Sequence, residues 1–407
     1  MMNRFLQHIC AAVLILGTLA GCKQFDELSG VQKIEAISAT IKVRLGDLGD
    51  VPAPESYSVK MINYADKFQM TGQMGADGVI QMTGIIPGTY TITVVGSVSH
   101  NGFTYNFNGN EVSTTVVQDG CEFIILVDPF KSGNLVFKEI FYCGSRTKSG
   151  GAYFRDQFYE IYNNSETVQY ADGLCIGNML PARATANLPQ WPGENADKYA
   201  YFESIWQIPG NGTEYPIRPG ESIIIAQMAD DHQRPELNPN SPVDLLSAEF
   251  ETFVKTTSLV KDNPAVNMNV AFWPKPAGQW LVTVFGGAYA IFYPSGPIDP
   301  NDYVSPVGRK DKAYKVSVDN IVDAVELVDN ESKMKLKRVP PFLDGGATMV
   351  GDTYCSKSVI RKIKETLPDG RVILMDTNDS SEDFEVASTA QIRRYGAKIP
   401  VWNTWAN

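Results

Sequence analysis

Cys22 is the residue whose surroundings specify a chemistry most clearly. It stands directly behind Leu19, Ala20 and Gly21, at the end of an apolar run from Ile9 to Leu19 that follows Arg4. A basic start, a short apolar run and small residues before a cysteine form a lipoprotein processing signal. The run is shorter than the roughly 20 residues a spanning helix needs. The spacing predicts removal of residues 1–21 and acylation of Cys22, with 22–32 as a tether.

Other reactive groupings are sparser. Asp230, Asp231 and His232, with Glu236 and Asp244 nearby, offer ligand types that suit a divalent ion. A turn rich in Asp, Asn and Pro explains the same residues, and no second histidine is close, so no metal site is expected. No CxxC or HxxxH pair suggests zinc. Beyond the leader the histidines are His100 and His232, and no serine sits in a GxSxG setting, so nucleophilic catalysis is not expected. Glu160 with Glu221 could serve a glycosidase, but among 46 acidic residues one pair is not diagnostic. Gly144–Gly151 holds Lys148-Ser149 without the preceding glycine of a phosphate-cradling loop, and no cofactor is expected.

The formal net charge of −11 argues against nucleic acid and anionic lipid as partners, leaving the acyl chain as the membrane contact. Lys333, Lys335, Lys337 and Arg338 nearly alternate and read as the solvated face of a strand. Cys121, Cys143, Cys175 and Cys355 allow three full pairings that spacing cannot separate. The chain is large enough to bury a core without disulfides, so buried free thiols are expected.

The elements that must position these residues are β-strands. Ile37, Ala39, Ile41, Val43 and Leu45 alternate with polar residues, and Phe103, Tyr105 and Phe107 alternate with Thr104, Asn106 and Asn108. Phe123–Val127 is a continuous apolar run, predicting a central strand buried on both faces. Turn signals at Asp47–Gly49, Ala76–Gly78, Pro87-Gly88 and Asn101-Gly102 separate such runs. Gly88 is expected to take a positive φ after Pro87, with Tyr90, Ile92 and Val94 then facing one core. At 407 residues the chain exceeds what one core usually supports. The prediction is an all-β chain of two immunoglobulin-like β-sandwich domains in tandem, 33–128 and 134–407, joined by a linker over Asp128–Gly133.

The segment Asp77–Met82 followed by Gly84–Val94 resembles the carboxypeptidase-regulatory or transthyretin-like β-sandwich family, which implies a spacer without catalytic residues. Leu135–Tyr142, the Glu160-Ile161-Tyr162-Asn163 strand, Asp172-Gly173-Leu174, the Pro219-Gly220-Glu221 turn, Ile321–Val325 and Asp376–Phe384 resemble a lamin-tail-like immunoglobulin sandwich. That resemblance implies long loop insertions at 178–216 and 227–320. The whole chain resembles a family of Bacteroidota-type envelope lipoproteins, and Asp26 and Glu27 behind Cys22 resemble the signal that exports such proteins to the cell surface.

Binding residues are sought in the insertions, since loops on a rigid sandwich usually carry recognition. Trp191, Tyr201 and Trp206 lie in the first, Trp273 and Trp280 in the second. Exposed, they would stack on sugar rings or anchor a protein; buried, they would form a satellite core, which is the commoner fate of apolar loop residues. The expectation is a non-enzymatic outer-membrane lipoprotein that serves as a binding or accessory module of an envelope uptake or assembly complex, partnered by an outer-membrane protein. A glycan-binding surface protein is the alternative, and a carboxylate-dependent hydrolase the third. Cys22→Ser is predicted to abolish metabolic labelling by a fatty acid; undiminished labelling of the variant would remove the lipid anchor from the account.

Overall fold

The computed structural model describes residues 34–101, 103–185, 187–255, 261–280 and 282–406. Cys22, the leader and the whole tether lie outside them. The described residues are nearly all β, as the alternating patterns predict, and none of their helices is long and apolar enough to cross a membrane.

Seven strands build the first sandwich: β1 (Ile37–Leu45), β2 (Ser56–Asn63), β3 (Phe68–Gly75), β4 (Val79–Ile85), β5 (Gly88–His100), β6 (Phe103–Val116) and β7 (Cys121–Lys131). Their order is β3-β2-β5-β6-β7-β1-β4. β7 belongs to both layers. Its first part runs parallel to β1, with Ala39 opposite Cys121 and Leu45 opposite Val127, and its last residues pair antiparallel with β6, with Asn108 opposite Asp128. A strand that changes sheets in this way joins the layers along one side. Tyr90, Ile92 and Val94 are fully buried beside Ile41, Val59 and Phe107, so the predicted inward face of β5 is the core face.

Three local expectations are corrected. Gly88 does not carry the positive φ, which belongs to Gly84 at 79°. Gly88 is extended, and a Cβ there would stand 2.6 Å from Asn63 Nδ2, so close approach is what calls for glycine. Phe123–Val127 is not buried on both faces: Ile124 is 52% exposed and Leu126 43%, while Ile125 and Val127 are in the core. The linker is not a linker. Asp128–Lys131 continues β7, Ser132 N donates to Thr104 O at 2.9 Å, and a Cβ on Gly133 would meet Val322 O at 2.1 Å.

The second sandwich begins at once with β8 (Leu135–Phe141), every residue of which is buried. One sheet runs Val266–Asn267, Phe250–Glu251, Ser222–Ala226, Phe158–Asn163, β8, Ser358–Arg361, Phe384–Ala387. The facing sheet runs Asn269–Phe272, Tyr199–Gln207, Cys175–Met179, Ala288–Phe292, Ile321–Glu326. The expected insertions 178–216 and 227–320 are therefore not loops alone, since they supply strands to both sheets. Phe137, Ile176, Trp206, Ile223 and Ile291 fill the space between the sheets. Phe202, Ala290 and Phe292 point the other way, under Val339, Leu343 and Phe130. The second sheet is thus covered on both faces. Lys333 and Lys335 lie in a 3-10 helix, Glu331–Leu336, and not in a strand, while Arg338 is buried against Glu326 at 2.7 Å.

Asn106 and Asn108, read as a polar outer face, are buried because that face meets the second sandwich. Asn108 Nδ2 donates to Thr377 O and Asn378 O, both at 2.8 Å; Asn106 Nδ2 donates to Asp376 O at 3.1 Å; Asn110 Nδ2 donates to Gly345 O at 2.7 Å. Residues two apart on one strand share a face, so a single strand presents this row of amides. Asn108→Ala should take from the half-buried Thr377 O its side-chain donor and from the buried Asn378 O one of two donors, the other being Gly345 N, and lower stability by about 1–3 kcal/mol. In urea titration an earlier transition for the first sandwich is expected; an unchanged midpoint with one transition would show that the amide row does not couple the modules.

Candidate functional site

The five sequence-predicted aromatics separate into three situations. Trp191 and Tyr201 stack on each other at 3.8 Å, nearly parallel, and Tyr201 Oη donates to Ala196 O at 2.9 Å, so they close their own loop. Trp206 is fully buried between the sheets and offers no surface. Trp273 and Trp280 are brought together, with Trp206 behind them at ring distances of 5.7 and 6.0 Å. Trp280 is 2% exposed; Trp273 is half-buried and forms part of a cleft wall.

This cleft, about 240 Å³, is lined by Asn178, Glu203, Trp273, Lys275, Trp280 and Asp311 among others. Its floor is a directed chain of hydrogen bonds. Trp280 Nε1 donates to Ser204 Oγ at 2.9 Å and lies 3.3 Å from Asn178 Oδ1; Ser204 Oγ donates to that same Oδ1; Asn178 Nδ2 donates to Glu203. An indole N–H can only donate, which fixes the direction of every later bond and the orientation of the Asn178 amide. Asn178 and Ser204 come from adjacent antiparallel strands whose register places them opposite each other. At the rim, Lys275 Nζ holds Asp311 at 2.8 Å. Burial pushes the Glu203 carboxyl up to about 7, and Asn178, Arg338 and Lys275 draw it back. Near neutral pH it both donates and accepts hydrogen bonds.

Sequence reasoning missed Asn178, Glu203 and Ser204. The available signal was a single carboxylate in the aromatic run Tyr199–Trp206, which would be costly to bury without a purpose or a partner.

The acid and histidine candidates are structural. His232 is fully buried, Nε2 donating to Met228 O at 2.9 Å and Nδ1 accepting from Tyr153 Oη at 2.7 Å, and burial lowers its pKa to about 4. Both ring nitrogens are occupied, so it cannot ligate. Asp230 pairs with Arg234, Asp231 accepts from Gln233 N and Asp244 from Leu246 N, which is turn capping; among the described residues no cluster of metal-ligating side chains occurs. Glu160 is buried against Lys138 Nζ at 2.9 Å and Ser222 Oγ at 2.7 Å, and Glu221 accepts from Arg218 N at 2.7 Å, so the two share no open site.

Residues 218–391 match the family model described as "Protein of unknown function (DUF4876)". A DUF4876 family protein from Bacteroides thetaiotaomicron is 39% identical, with 90% of this chain and 99% of that one covered and a TM-score of 0.65. A candidate adhesin from Bacteroides ovatus (10% identity, 46% and 63% covered) has a TM-score of 0.16. A candidate cell adhesion protein from Parabacteroides distasonis (8% identity, 73% and 85% covered) has one of 0.17. At those scores the likeness carries no argument. No curated protein matches the sequence.

The raised Glu203 pKa makes a signed prediction. Its folded value lies above that of an unfolded glutamate, so its contribution to stability is full below the unfolded value and is lost as pH rises through about 7. Glu203→Gln does not titrate. In thermal melts the Tm difference between variant and natural protein should move in favour of the variant between pH ~4.5 and pH ~8. A flat or inverted difference would show that Glu203 is not held in its protonated form.

Proposed function

The chain belongs to the DUF4876 family, and from that premise we propose a lipid-anchored binding module of a bacterial outer membrane, displayed at the cell surface and non-catalytic. Its ligand is a saccharide-sized polar molecule, or the end of a longer glycan, held between Trp273 and Glu203. The transthyretin-like and lamin-tail-like resemblances fit this reading, the first sandwich acting as a spacer and the second carrying the site. The Cys22 motif and the acidic charge support attachment through the acyl chain alone.

The hydrogen-bond chain from Trp280 to Glu203 carries the proposal. It pre-orients a carboxyl and an amide inside a cleft whose wall is the half-buried ring of Trp273. Sugar rings present an apolar C–H face and a polar hydroxyl edge. An indole face stacks on the first, while Glu203, Asn178 and Lys275 supply acceptors and donors for the second. A volume of about 240 Å³ is below the ~300–1,000 Å³ of drug-sized pockets, which suits one ring or a chain end.

Glycan-array screening followed by calorimetry on the full chain tests this. Trp273→Ala and Glu203→Gln should each weaken binding about tenfold or more, and Trp191→Ala should not change it. Absence of glycan binding, with an outer-membrane protein captured equally by the natural protein and Trp273→Ala, would favour the accessory role without a saccharide. Glycan turnover abolished by Glu203→Gln would make the protein a hydrolase.

A further inference from the structure

Cys143 and Cys355 face each other with Sγ atoms 3.4 Å apart across 212 residues of chain. Cys143 follows β8 and is fully buried; Cys355 precedes Ser358–Arg361, the strand paired with β8, and is partly exposed. The backbone around Cys355 is held onto Cys143. Tyr354 N donates to Cys143 O at 2.7 Å and Ser356 N to Gly144 O at 3.1 Å, with Tyr354 and Ser356 in the left-handed region at φ 54° and 61°. Two non-glycine residues in that region flank one cysteine, and such backbone persists only where its surroundings impose it. The other described cysteines, Cys121 and Cys175, belong to different clusters of the core.

We infer that Cys143 and Cys355 form an exchange-competent dithiol that closes to a disulfide when the protein meets a low-molecular-weight disulfide oxidant. Cys355 is the attacking sulfur. The Cys143 thiol beside it and the Lys357 charge lower its pKa to about 6, whereas that same contact and burial raise Cys143. The Cys355 thiolate attacks one sulfur of the external disulfide and displaces the other as a thiolate, which takes up the proton that Cys355 released. The mixed disulfide removes the negative charge that had held Cys143 protonated. Cys143 then loses its proton to solvent, attacks the Cys355 sulfur and displaces the second external thiolate. The protein gives up two electrons and two protons, and the oxidant is reduced to two thiols. Closing the pair needs only a small approach of the sulfurs toward the ~2.05 Å bond length, and the bridge persists in an oxidising compartment.

The full chain is treated with glutathione disulfide, alkylated and peptide-mapped without reduction. A Cys143–Cys355 peptide lighter by two hydrogens is expected, with Cys121 and Cys175 still alkylated and Tm raised by about 5 °C or more. Cys143→Ser should trap glutathione on Cys355, at least tenfold faster than on Cys121, and Cys355→Ser should leave Cys143 unmodified. If Cys143→Ser does not fold, Cys143→Ala serves the same purpose. Full alkylation of both cysteines after oxidation, or a bridge to Cys121 or Cys175, overturns the inference. Neither result bears on glycan binding at Trp273.

Discussion

The guanidinium of Arg361 is the constraint on which most of the architecture rests. Fully buried, it donates from Nε to Phe137 O at 2.8 Å and from one terminal nitrogen to Met375 O at 2.9 Å, and it pairs with Asp323 at 2.6 Å. Asp383 and Asp376 stand at 3.3 and 3.4 Å. Phe137 lies in one sheet, Asp323 in the facing sheet, and residues 375–383 form the turn that receives Asn106 and Asn108 of the first sandwich. A single cation therefore ties both layers of the second module to its docking loop. Burial raises the surrounding carboxyls to about 6 and the guanidinium draws them back. Removing one partner from such a buried cluster leaves charge uncompensated, which costs several kcal/mol, roughly 3–5.

The same need explains the abundance of buried acids. Long irregular segments carry backbone N–H groups into the interior, and each must find an acceptor. Asp172 accepts from Gly212, Glu214 and Tyr215; Glu326 from Arg338 and Val339; Asp344 from Glu326, Gly346 and Ser380. These carboxylates hold loops in place of regular strand pairing. Glu203 differs, because its partner is a side-chain amide at the end of a directed chain and it borders an open cleft.

Burial of the second sheet on both faces determines the fate of the aromatics. Trp206 and Trp280 fill the inter-sheet core, Phe202 and Phe292 the opposite side, and Trp273 is left at the boundary where a ring is both supported and reachable. The binding site we propose therefore centres on the strand-loop junction around 273–280, where Trp273 borders the cleft.

Period-two alternation determined the strands of the first sandwich, the inward set Tyr90, Ile92 and Val94, and the all-β class, because side-chain direction along a strand is local. The reversal between β5 and β6 was equally legible, and Asn101 does take a positive φ, 51°. What each face meets was not local. Asn106 and Asn108 share a face with Asn110 in the sequence, but only the docked second module makes that face buried; Ile124 and Leu126 read as core, but nothing among the described residues covers them fully. The cleft was half legible, Trp273 and Trp280 by type and Glu203 only as a lone carboxylate in an aromatic run. Its chemistry arises where strands distant in sequence place Asn178 beside Ser204, and the pairing of two strands is a property of the folded sheet, carried by neither strand alone.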